Sequence, residues 1–310
     1  MAQKHFLSLA DWSREEIELL FELSAALKAS PESYATALEG RSLAMIFQKP
    51  STRTRVSFEV GMRQLGGHAL FLSSNDIQLH RGETIADTAR VLSRYVHGIM
   101  ARVFAHQDVL DLARHGSVPV INGLSDLLHP CQALADYFTL RERRGDLTGL
   151  KMAYVGDGNN VAHELMFGAV KLGMRFSIGC PKGYEPNPLI FKSAAREAQE
   201  IGSPLPEVTN DPAEAVDGAD VVYTDVWTSM GQEAESRKRV ADFHGFQVTA
   251  EMMARAGSEA VFMHCLPAHR GEEVAADVID GPQSVVFDEA ENRLHVQKAV
   301  LVTLMGSSEE

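Results

Sequence analysis

The chain has 310 residues, of which 45% are hydrophobic and 23% charged, a composition typical of a globular protein with room for two domains. Its formal net charge of −13, from 29 basic and 42 acidic residues, argues against a surface for nucleic acid or anionic membranes. The three cysteines, Cys131, Cys180 and Cys265, are widely spaced. They argue against a disulfide framework and favour a cytoplasmic location.

Short β-rich runs alternate with longer segments of helical period, which predicts an α/β fold with parallel sheets and crossover helices. We predict strands at 43–47, 98–102, 118–121, 152–155, 175–178, 221–224, 260–263 and 285–287. The charged, glycine-containing stretch 141–150 suggests a domain boundary. We therefore expect a first domain at 1–140, a second at 150–285, and a C-terminal helix within 290–310 that returns to the first domain.

Polar clusters stand at the ends of seven predicted strands. In chain order they are STRTR, Arg102, NGLSDLLHPCQ, GDGNN, DVWTSMG, HCLP and DEAENR. Because ligands of open α/β sheets bind outside the carboxyl ends of the strands, these clusters predict a functional site in the cleft between the two domains.

The segment KPSTRTRVSFE predicts an anion site at the start of a helix. Ser51 or Thr52 is expected to cap the helix, which leaves free backbone N–H groups and the positive end of the helix dipole at the sheet edge. The hydroxyl of Thr54 adds a donor. Arg53 and Arg55 are two residues apart, so a helix turns them about 200° from each other. We assign Arg53 to the ligand and Arg55 to an ion pair.

Apolar positions at i, i+4 spacing support this helix. They are Val56 and Val60 on one line, and Phe58, Met62 and Leu65 on another.

The segment HPCQ predicts a second helix start. Pro130 suits the first helical position, which places His129 at the N-terminus and Gln132 about one turn further on. The helix dipole disfavours an imidazolium there, so a neutral His129 could donate to a polarised carbonyl. Arg102 is expected nearby, at its strand end.

GDGNN permits a dinucleotide-binding interpretation, because Gly156 and Gly158 follow a strand. Val161 stands where the third glycine would be, and the next strand is not followed by an acidic residue for a ribose. An NADP-dependent oxidoreductase is therefore a distant alternative. Asn160, with its neighbour Asn159, starts the next helix.

The last two motifs favour an amine site. Asp225 and Ser229 at a strand end could hold an ammonium group, and Cys265 lies in a turn beside Pro267. A covalent role for Cys265 is open, although no activating motif accompanies it. His129, Cys131, His264, Cys265 and His269 lack the close ligand spacings of a zinc site, so no metal is predicted.

Together these motifs resemble the aspartate/ornithine carbamoyltransferase family. The motifs that match, in the order and spacing of that family, are KPSTRTRVSFE, GIMAR, HPCQALAD, GDGNN, DVWTSMGQE, MHCLPAHRGEE and AENR. The resemblance spans about Phe6 to Met305. DxxxSMG and HCLP resemble the members that use ornithine. The loop LSSNDIQLHRGE has Gln78 and lacks the lysine of the aspartate-specific members.

The resemblance implies transfer of the carbamoyl group of carbamoyl phosphate to the δ-amine of L-ornithine, giving L-citrulline and phosphate, in a homotrimer without metal or cofactor. It assigns the phosphate to Ser51, Thr52, Arg53 and Thr54, with Gln78 from an adjacent subunit. It assigns the carbonyl oxygen to Arg102, His129 and Thr54. It assigns the carbamoyl amide to Gln132 and the backbone carbonyls of Cys265 and Leu266, with a further contact from Arg293.

For ornithine, the resemblance implies an amino-acid end bound by Asn160, Asp225, Ser229 and Met230, and a side-chain amine beside Cys265. The resulting catalytic set is Cys265, Arg102, His129 and Asp225. A carbamoyltransferase for putrescine or N-acetylornithine shares most of the motifs and is the nearest alternative. A phosphate-binding module without catalysis would leave DVWTSMG and HCLP unexplained.

Overall fold

The computed structural model describes residues 3–74, 77, 82–229 and 233–306. The chain divides into two compact units. Unit 1 comprises Met1–Phe138 and Glu291–Glu310, and unit 2 comprises Thr139–Ala290.

Unit 1 is built on a parallel sheet. Its strands are β1 (Ser42–Phe47), β2 (His68–Ser73), β3 (Gly98–Arg102) and β4 (Val120–Leu124). They lie in the order β2-β1-β3-β4 and all pair in parallel. The central strands β1 and β3 are apolar and buried, as expected where helices cover both faces of a parallel sheet. The edge strand β2 is largely exposed.

The helices of unit 1 alternate with these strands. They are α1 (Arg14–Ala29), α2 (Thr52–Gln64), α3 (Ile85–Leu92), α4 (His106–His115) and α5 (Pro130–Arg144), the last of which ends in unit 2. In α2, Phe58 and Met62 are buried, whereas Val56 and Val60 are exposed. One of the two predicted apolar lines therefore faces the core, and the other faces outward.

Unit 2 repeats the α/β pattern on a five-stranded sheet. Its strands are β5 (Lys151–Val155), β6 (Arg175–Gly179), β7 (Glu207–Thr209), β8 (Val221–Thr224) and β9 (Val261–His264). They lie in the order β7-β6-β5-β8-β9, again in parallel. Its helices are α6 (Asn160–Leu172), α7 (Pro188–Ile201), α8 (Pro212–Val216), α9 (Ser236–Asp242), α10 (Ala250–Ala256) and α11 (Ala276–Ile279). The prediction of two parallel sheets flanked by helices is confirmed.

The final helix, α12, runs over Val286–Met305, and its residues from Glu291 onward belong to unit 1. Lys28 of α1 donates to Asn292 at 2.9 Å, and buried Lys298 donates to the Leu27 carbonyl at 3.4 Å. Cationic donors near the end of α1 are well placed for carbonyls that lack helical partners. The predicted return of a C-terminal helix to the first domain is confirmed.

The predicted strand at 285–287 is wrong, because α12 begins at Val286. A short apolar run such as VVF suits a buried strand or the first turn of a helix equally well. One bridge, between Phe262 and Ser284, links the preceding residues to β9.

Two strands, β2 and β7, were not predicted. Strand β2 carries a half-exposed mixture of side chains, and β7 has three residues. Both lie at a sheet edge, where the burial that produces a recognisable apolar run is weak. Strand β4 extends through Leu124, beyond the predicted end at Ile121.

The parallel registers align the carboxyl ends of neighbouring strands. In unit 1, Phe47 of β1 stands opposite Arg102 of β3. In unit 2, Thr224 of β8 stands opposite Val155 of β5 on one side and His264 of β9 on the other. In both sheets the strand order reverses at these pairs, at β1/β3 and β5/β8, which is where open α/β sheets bind ligands.

In the described part of the chain, no helix combines the length and the apolar character needed to cross a bilayer.

The burial of Phe58 leads to a stability prediction. Phe58→Ala removes a side chain that is 0% exposed, and we expect it to lower the free energy of unfolding by about 3–5 kcal/mol through lost apolar contact and a residual cavity. Urea denaturation followed by circular dichroism measures this. The control is Leu19→Ala on α1, where the side chain is 62% exposed and the expected change is within about 0.5 kcal/mol. Equal losses in both variants would contradict the assignment of Phe58 to the core.

Candidate active site

The N-terminus of α2 has the predicted cap. Ser51 is the N-cap residue, and its side chain accepts a hydrogen bond from the Thr54 amide at 3.2 Å. Thr52 and Arg53 follow in the first turn and are exposed, whereas Thr54 is buried. The first turn therefore presents backbone N–H groups, hydroxyls and a guanidinium beside the end of β1, which suits an anion.

The two arginines of this segment separate as expected. Arg55 forms an ion pair with Glu59 at 2.9 Å, and its guanidinium lies 3.7 Å from the ring centre of Phe71. The prediction that Arg55 belongs to an ion pair is confirmed. Arg53, on a different side of the helix, stays the predicted ligand contact.

Arg293 contacts two other predicted residues in unit 1. Its guanidinium, 3% exposed, donates to the Thr54 hydroxyl at 3.2 Å and to the side-chain carbonyl of Gln132. Gln132 in turn donates to Asp136 at 2.8 Å. Thr54, Gln132 and Arg293 are far apart in sequence, and the fold brings them into direct contact.

His129 precedes α5, as predicted, and is buried. Burial lowers its pKa well below the ordinary value, and the nearby cations Arg293 and Arg102 lower it further. Its Nδ1 is buried and has no hydrogen-bond partner among the residues that the structure describes. The ring is therefore neutral at pH 7, as predicted, but burial and the two guanidiniums account for this, whereas the prediction relied on the helix dipole.

In unit 2, Asp225 follows β8 and is the centre of a hydrogen-bond group. Its carboxylate accepts from the Asn159 amide at 2.8 Å, from the Cys265 thiol at 3.0 Å and from the Val226 backbone at 2.8 Å. Asp225 is 6% exposed. The structure thus joins GDGNN, DVWTSMG and HCLP at one carboxylate.

The buried phenol of Tyr154 lies next to this group. Its hydroxyl donates to the Asn159 side-chain oxygen at 3.3 Å. Burial raises the pKa of Tyr154 well above its ordinary value, and the charges of Asp225 and Asp157 raise it further. The phenol therefore stays protonated and acts as a donor.

The two asparagines of GDGNN have different surroundings. Asn159 is the N-cap of α6 and accepts from the Val161 and Ala162 amides at 2.9 Å and 3.2 Å, and it also binds Asp225. Asn160, the first residue of α6, is half-buried, as is Ser229. The sequence analysis placed Asn159 only at the start of this helix, so it missed the contact of Asn159 with Asp225.

The glycines of GDGNN have structural explanations. A Cβ at Gly158 would lie 2.3 Å from the backbone nitrogen of Pro186, and the Gly158 amide donates to the Tyr184 carbonyl at 2.8 Å. Gly156 has a φ of 147°, a conformation that other residues rarely adopt. The packing of the segment 184–186 accounts for Gly158 without a nucleotide.

Cys265 and Leu266 follow β9 directly. The Cys265 thiol is half-buried, and Leu266 has a φ of 55°, in the left-handed region that non-glycine residues seldom occupy. The Leu266 amide donates to Nδ1 of His264 at 2.9 Å, so this turn is held by a side chain beneath it.

A metal interpretation of this region needs separate consideration, because Asp225, His264 and Cys265 bring possible ligand atoms within 4.8 Å of one another. Nδ1 of His264 accepts from the Leu266 amide, and Nε2 lies 3.2 Å from the Glu273 carboxylate. Both ring nitrogens are thus engaged, and the imidazole offers no lone pair to an ion without breaking one of these bonds. The donor set does not fit a metal.

Two predicted site residues, Gln78 and Met230, lie outside the described residues. The other predicted residues fall into one group in each unit. Unit 1 holds Ser51, Thr52, Arg53, Thr54, Arg102, His129, Gln132 and Arg293, and unit 2 holds Asn160, Asp225, Ser229, Cys265 and Leu266.

Comparison with known families gives two domain matches, the second of which includes Arg293 and the rest of the C-terminal helix as far as residue 304. Residues 4–142 match the carbamoyl-P binding domain of aspartate/ornithine carbamoyltransferase, and residues 148–304 match the Asp/Orn binding domain. The chain belongs to the aspartate/ornithine carbamoyltransferase family.

Relatives in this carbamoyltransferase family are similar along the whole chain. Ornithine carbamoyltransferase of Thermococcus kodakarensis is 58% identical over 311 residues, which cover 99% of this chain and 98% of the relative. The anabolic ornithine carbamoyltransferase of Pyrococcus furiosus is 58% identical over 308 residues, with the same coverage. A solved structure of the Pyrococcus furiosus ornithine carbamoyltransferase has a TM-score of 0.95 and 57% identity, and 99% of each chain is covered.

The cysteine environments lead to a prediction about thiol chemistry. Cys131 and Cys180 are 1% and 0% exposed, and burial raises the pKa of Cys180 to about 12. Cys265 is half-buried. Since the thiolate is the nucleophile and needs access to reagent, we expect iodoacetamide to alkylate Cys265 in the native protein and to leave the other two intact. Peptide mass spectrometry after timed quenching measures the sites.

The control is the same reaction in urea, where all three thiols are accessible. Alkylation of native Cys131 or Cys180 at a rate similar to that of Cys265 would contradict the prediction.

Proposed function

We propose that this chain transfers the carbamoyl group of carbamoyl phosphate to the δ-amine of L-ornithine and releases L-citrulline and phosphate. The amine nitrogen attacks the carbonyl carbon, a tetrahedral species forms, and its collapse breaks the bond to the phosphate oxygen. The neutral amine nitrogen loses one proton as the C–N bond forms, and the departing phosphate takes up that proton and leaves as hydrogen phosphate.

One observation carries this proposal: the chain combines two chemically matched groups. Unit 1 places buried guanidiniums around a neutral imidazole, beside a helix N-terminus that suits a phosphate. Unit 2 places a thiol 3.0 Å from a buried carboxylate that suits an amine. The reaction needs both groups, because the new C–N bond joins a molecule bound by one to a molecule bound by the other.

In this proposal unit 1 is the carbamoyl-phosphate-binding domain and unit 2 the ornithine-binding domain. The phosphate is held by the first turn of α2, through Ser51, Thr52, Arg53 and Thr54. Backbone N–H groups and the Arg53 fork stabilise the leaving dianion more as its charge develops, which lowers the barrier to C–O cleavage. The capped start of α2 supports this assignment.

The carbonyl oxygen is polarised by Thr54, Arg102 and His129. Negative charge grows on this oxygen in the tetrahedral species, and donors fixed in a buried site stabilise it without reorganisation. A neutral imidazole can donate one N–H there, and the unpartnered Nδ1 of His129 is a candidate atom. Keeping His129 neutral also avoids a third cation beside Arg102 and Arg293.

The carbamoyl amide is held by Gln132 and by the backbone carbonyls of Cys265 and Leu266, and Arg293 adds a further contact. The side-chain oxygen of Gln132 already accepts from Arg293. An amide oxygen has two lone pairs, so the second can accept from the carbamoyl N–H₂ group. Arg293 thereby orients Gln132 as well as contacting the substrate.

On the amine side, Asn160, Asp225, Ser229 and Met230 bind the amino-acid end of ornithine, and Cys265 lies beside the δ-amine. A free amine has a pKa of about 10, so most ornithine arrives protonated and must lose a proton before attack. The Cys265 thiol, which is hydrogen-bonded to the Asp225 carboxylate, positions the ammonium group, and the carboxylate accepts the proton that the nitrogen loses before attack.

We also propose that the active protein is a homotrimer in which Gln78 enters the site of a neighbouring subunit. Unit 1 exposes apolar side chains on adjacent α2 and β2, namely Val56, Val60, Leu70 and Phe71. The Arg55–Phe71 contact places these two elements side by side. An exposed apolar group of this kind on an edge strand is typical of a subunit interface.

A cytoplasmic location and a role in arginine biosynthesis complete the proposal. All three cysteines are free thiols, which fits a reducing compartment. The anabolic designation of the Pyrococcus furiosus relative supports the biosynthetic direction.

The first test is turnover. The purified protein is incubated with carbamoyl phosphate and, in parallel, with L-ornithine, putrescine, N-acetylornithine or L-aspartate, and ureido product and phosphate are measured together. We expect equal amounts of citrulline and phosphate with L-ornithine and none with the other amines. A ureido product from putrescine or N-acetylornithine in place of citrulline would assign the chain to a different substrate, and no product from any amine would refute the enzymatic proposal.

Two arginine variants provide the matched comparison within this test. Arg53→Met removes the proposed phosphate contact and is expected to lower kcat/KM for carbamoyl phosphate by about 10- to 100-fold, the effect of a lost charge-assisted hydrogen bond. Arg55→Met removes the neighbouring arginine, which pairs with Glu59 at 2.9 Å, and is expected to change kcat/KM less than about threefold.

Shared sites predict complementation between inactive variants. Gln78→Ala and His129→Ala are expected to be inactive alone, because in each variant every site lacks one of the two side chains that it needs. When the two are unfolded together and refolded, about a quarter of the sites combine an intact Gln78 with an intact His129 from a neighbouring subunit. Activity should therefore recover to about a quarter of that of the parent.

The control mixture is His129→Ala with Arg53→Met. Both residues are predicted to serve the same site from one subunit. Every site in the mixed trimers therefore lacks either His129 or Arg53, and we expect no recovery of activity. Recovery in this control, failure in the first mixture, or a particle mass other than three times 34.0 kDa by light scattering would contradict the shared trimer.

A further inference from the structure

The turn that carries Cys265 and Leu266 rests on a buried imidazole. His264, the last residue of β9, is 0% exposed. The Leu266 amide donates to its Nδ1 at 2.9 Å. An amide N–H can only donate, so Nδ1 accepts and carries no proton. The neutral ring then carries its proton on Nε2.

The buried carboxylate of Glu273 accepts a hydrogen bond from the Nε2–H group of His264. Nε2 of His264 lies 3.2 Å from Oε1 of Glu273, which is also 0% exposed. The same oxygen accepts from the His269 backbone amide at 2.5 Å. Glu273 thus links the last residue of β9 to His269 in the loop that follows, and it selects the tautomer of His264 that accepts from the Leu266 amide.

A second buried carboxylate holds the start of the turn. Glu289 accepts from the backbone amide of His264 at 3.0 Å and from the Tyr223 hydroxyl at 3.3 Å. The backbone amides on either side of Cys265 therefore both donate to side chains beneath the turn, that of His264 to Glu289 and that of Leu266 to the His264 ring. The sequence analysis assigned Cys265 and Leu266 to the site, but not the supporting residues Tyr223, His264, Glu273 and Glu289.

We propose that Glu273 is a positioning residue for the amine-side chemistry, and that it acts through His264 to set the Cys265 thiol and the Cys265 and Leu266 carbonyls. This inference rests on the proposed carbamoyl transfer. The left-handed Leu266 supports it, because a non-glycine residue keeps a φ of 55° only where its surroundings enforce it. The hydrogen bond from Leu266 to His264 is one such constraint.

The expected consequence is a selective loss of reaction geometry. Misplacing a reacting group by about 1 Å can lower a rate by about 100-fold, even when the altered residue does not touch the substrate. Phosphate binding by the first turn of α2 uses none of these residues, so it should remain unchanged. Loss of the Glu273 hydrogen bonds is therefore expected to lower kcat and to raise the KM for ornithine, while the inhibition constant for inorganic phosphate stays unaltered.

The experiment compares two substitutions at Glu273. Glu273→Met keeps similar length but accepts neither hydrogen bond, and we expect kcat to fall by about 10- to 100-fold. Glu273→Gln keeps an oxygen that can accept from both His264 and His269, and we expect it to retain activity within about threefold. Alkylation of Cys265 by iodoacetamide should become several-fold faster in Glu273→Met as the turn relaxes.

Tyr223→Phe is the matched control. It removes the hydrogen bond from the Tyr223 hydroxyl to Glu289, but it leaves in place the contacts of His264 with Glu273, with the Leu266 amide and, through its own amide, with Glu289. We expect it to lower the urea midpoint while kcat and the alkylation rate of Cys265 stay close to those of the parent. Equal kinetic losses in Tyr223→Phe and Glu273→Met would reduce Glu273 to a stabilising role and overturn the inference.

The remaining outcomes are also decisive. Parent-like kcat, ornithine KM and alkylation rate in Glu273→Met would refute positioning, whereas an inactive parent would refute the proposed function itself. If Glu273→Met does not fold, the nitrogen-15 NMR spectrum of the parent provides the test. The spectrum must show the His264 proton on Nε2. A proton on Nδ1 would overturn the inference, because a protonated Nδ1 cannot accept the hydrogen bond from the Leu266 amide.

Discussion

The parallel register between neighbouring strands is the constraint on which both candidate groups depend. Pairing of Phe47 with Arg102, and of Thr224 with His264, brings the carboxyl ends of strands to a common edge. Residues that immediately follow a strand then become neighbours irrespective of their distance along the chain. Cys265 reaches Asp225 across 40 positions in this way. The central strands can hold such a register because they are apolar and buried, so a slip would expose their side chains.

Burial then sets the chemical state of the groups at these edges. In unit 1 it works together with Arg102 and Arg293 to lower the pKa of His129, so the imidazole is neutral rather than a third cation. In unit 2 the buried Asp225 is supplied with donors from Asn159, Cys265 and the backbone of Val226. The buried Asp225 is thus accompanied by three donors, which is the condition under which a charged group persists in a protein interior.

Buried polar residues also lie beneath the turn that carries Cys265, behind the residues that are assigned to the substrates. His264 and Glu273 have no assigned contact with substrate, yet they determine the backbone that carries Cys265 and Leu266. The arrangement resembles the way in which residues behind a ligand orient it at other protein sites. In the proposed site, a set of buried polar residues beneath the turn therefore supports the residues assigned to the reactants.

Short-range features of the sequence were sufficient to predict the two parallel sheets, a cap at Ser51 or Thr52, the start of α5 at Pro130 and the separation of Arg53 from Arg55. Each depends on neighbours within about one helical turn or on the apolar content of a single strand. The exposed edge strands β2 and β7 and the helical start of α12 were not predicted, because there the decisive contacts come from elsewhere in the chain. Only the tertiary structure could place Arg293 against Thr54 and Gln132, attribute the neutrality of His129 to burial, and reveal Glu273 beneath His264. The physical reason is that electrostatic environment and burial are sums over residues distant in sequence, whereas caps, turns and periodicity are encoded locally.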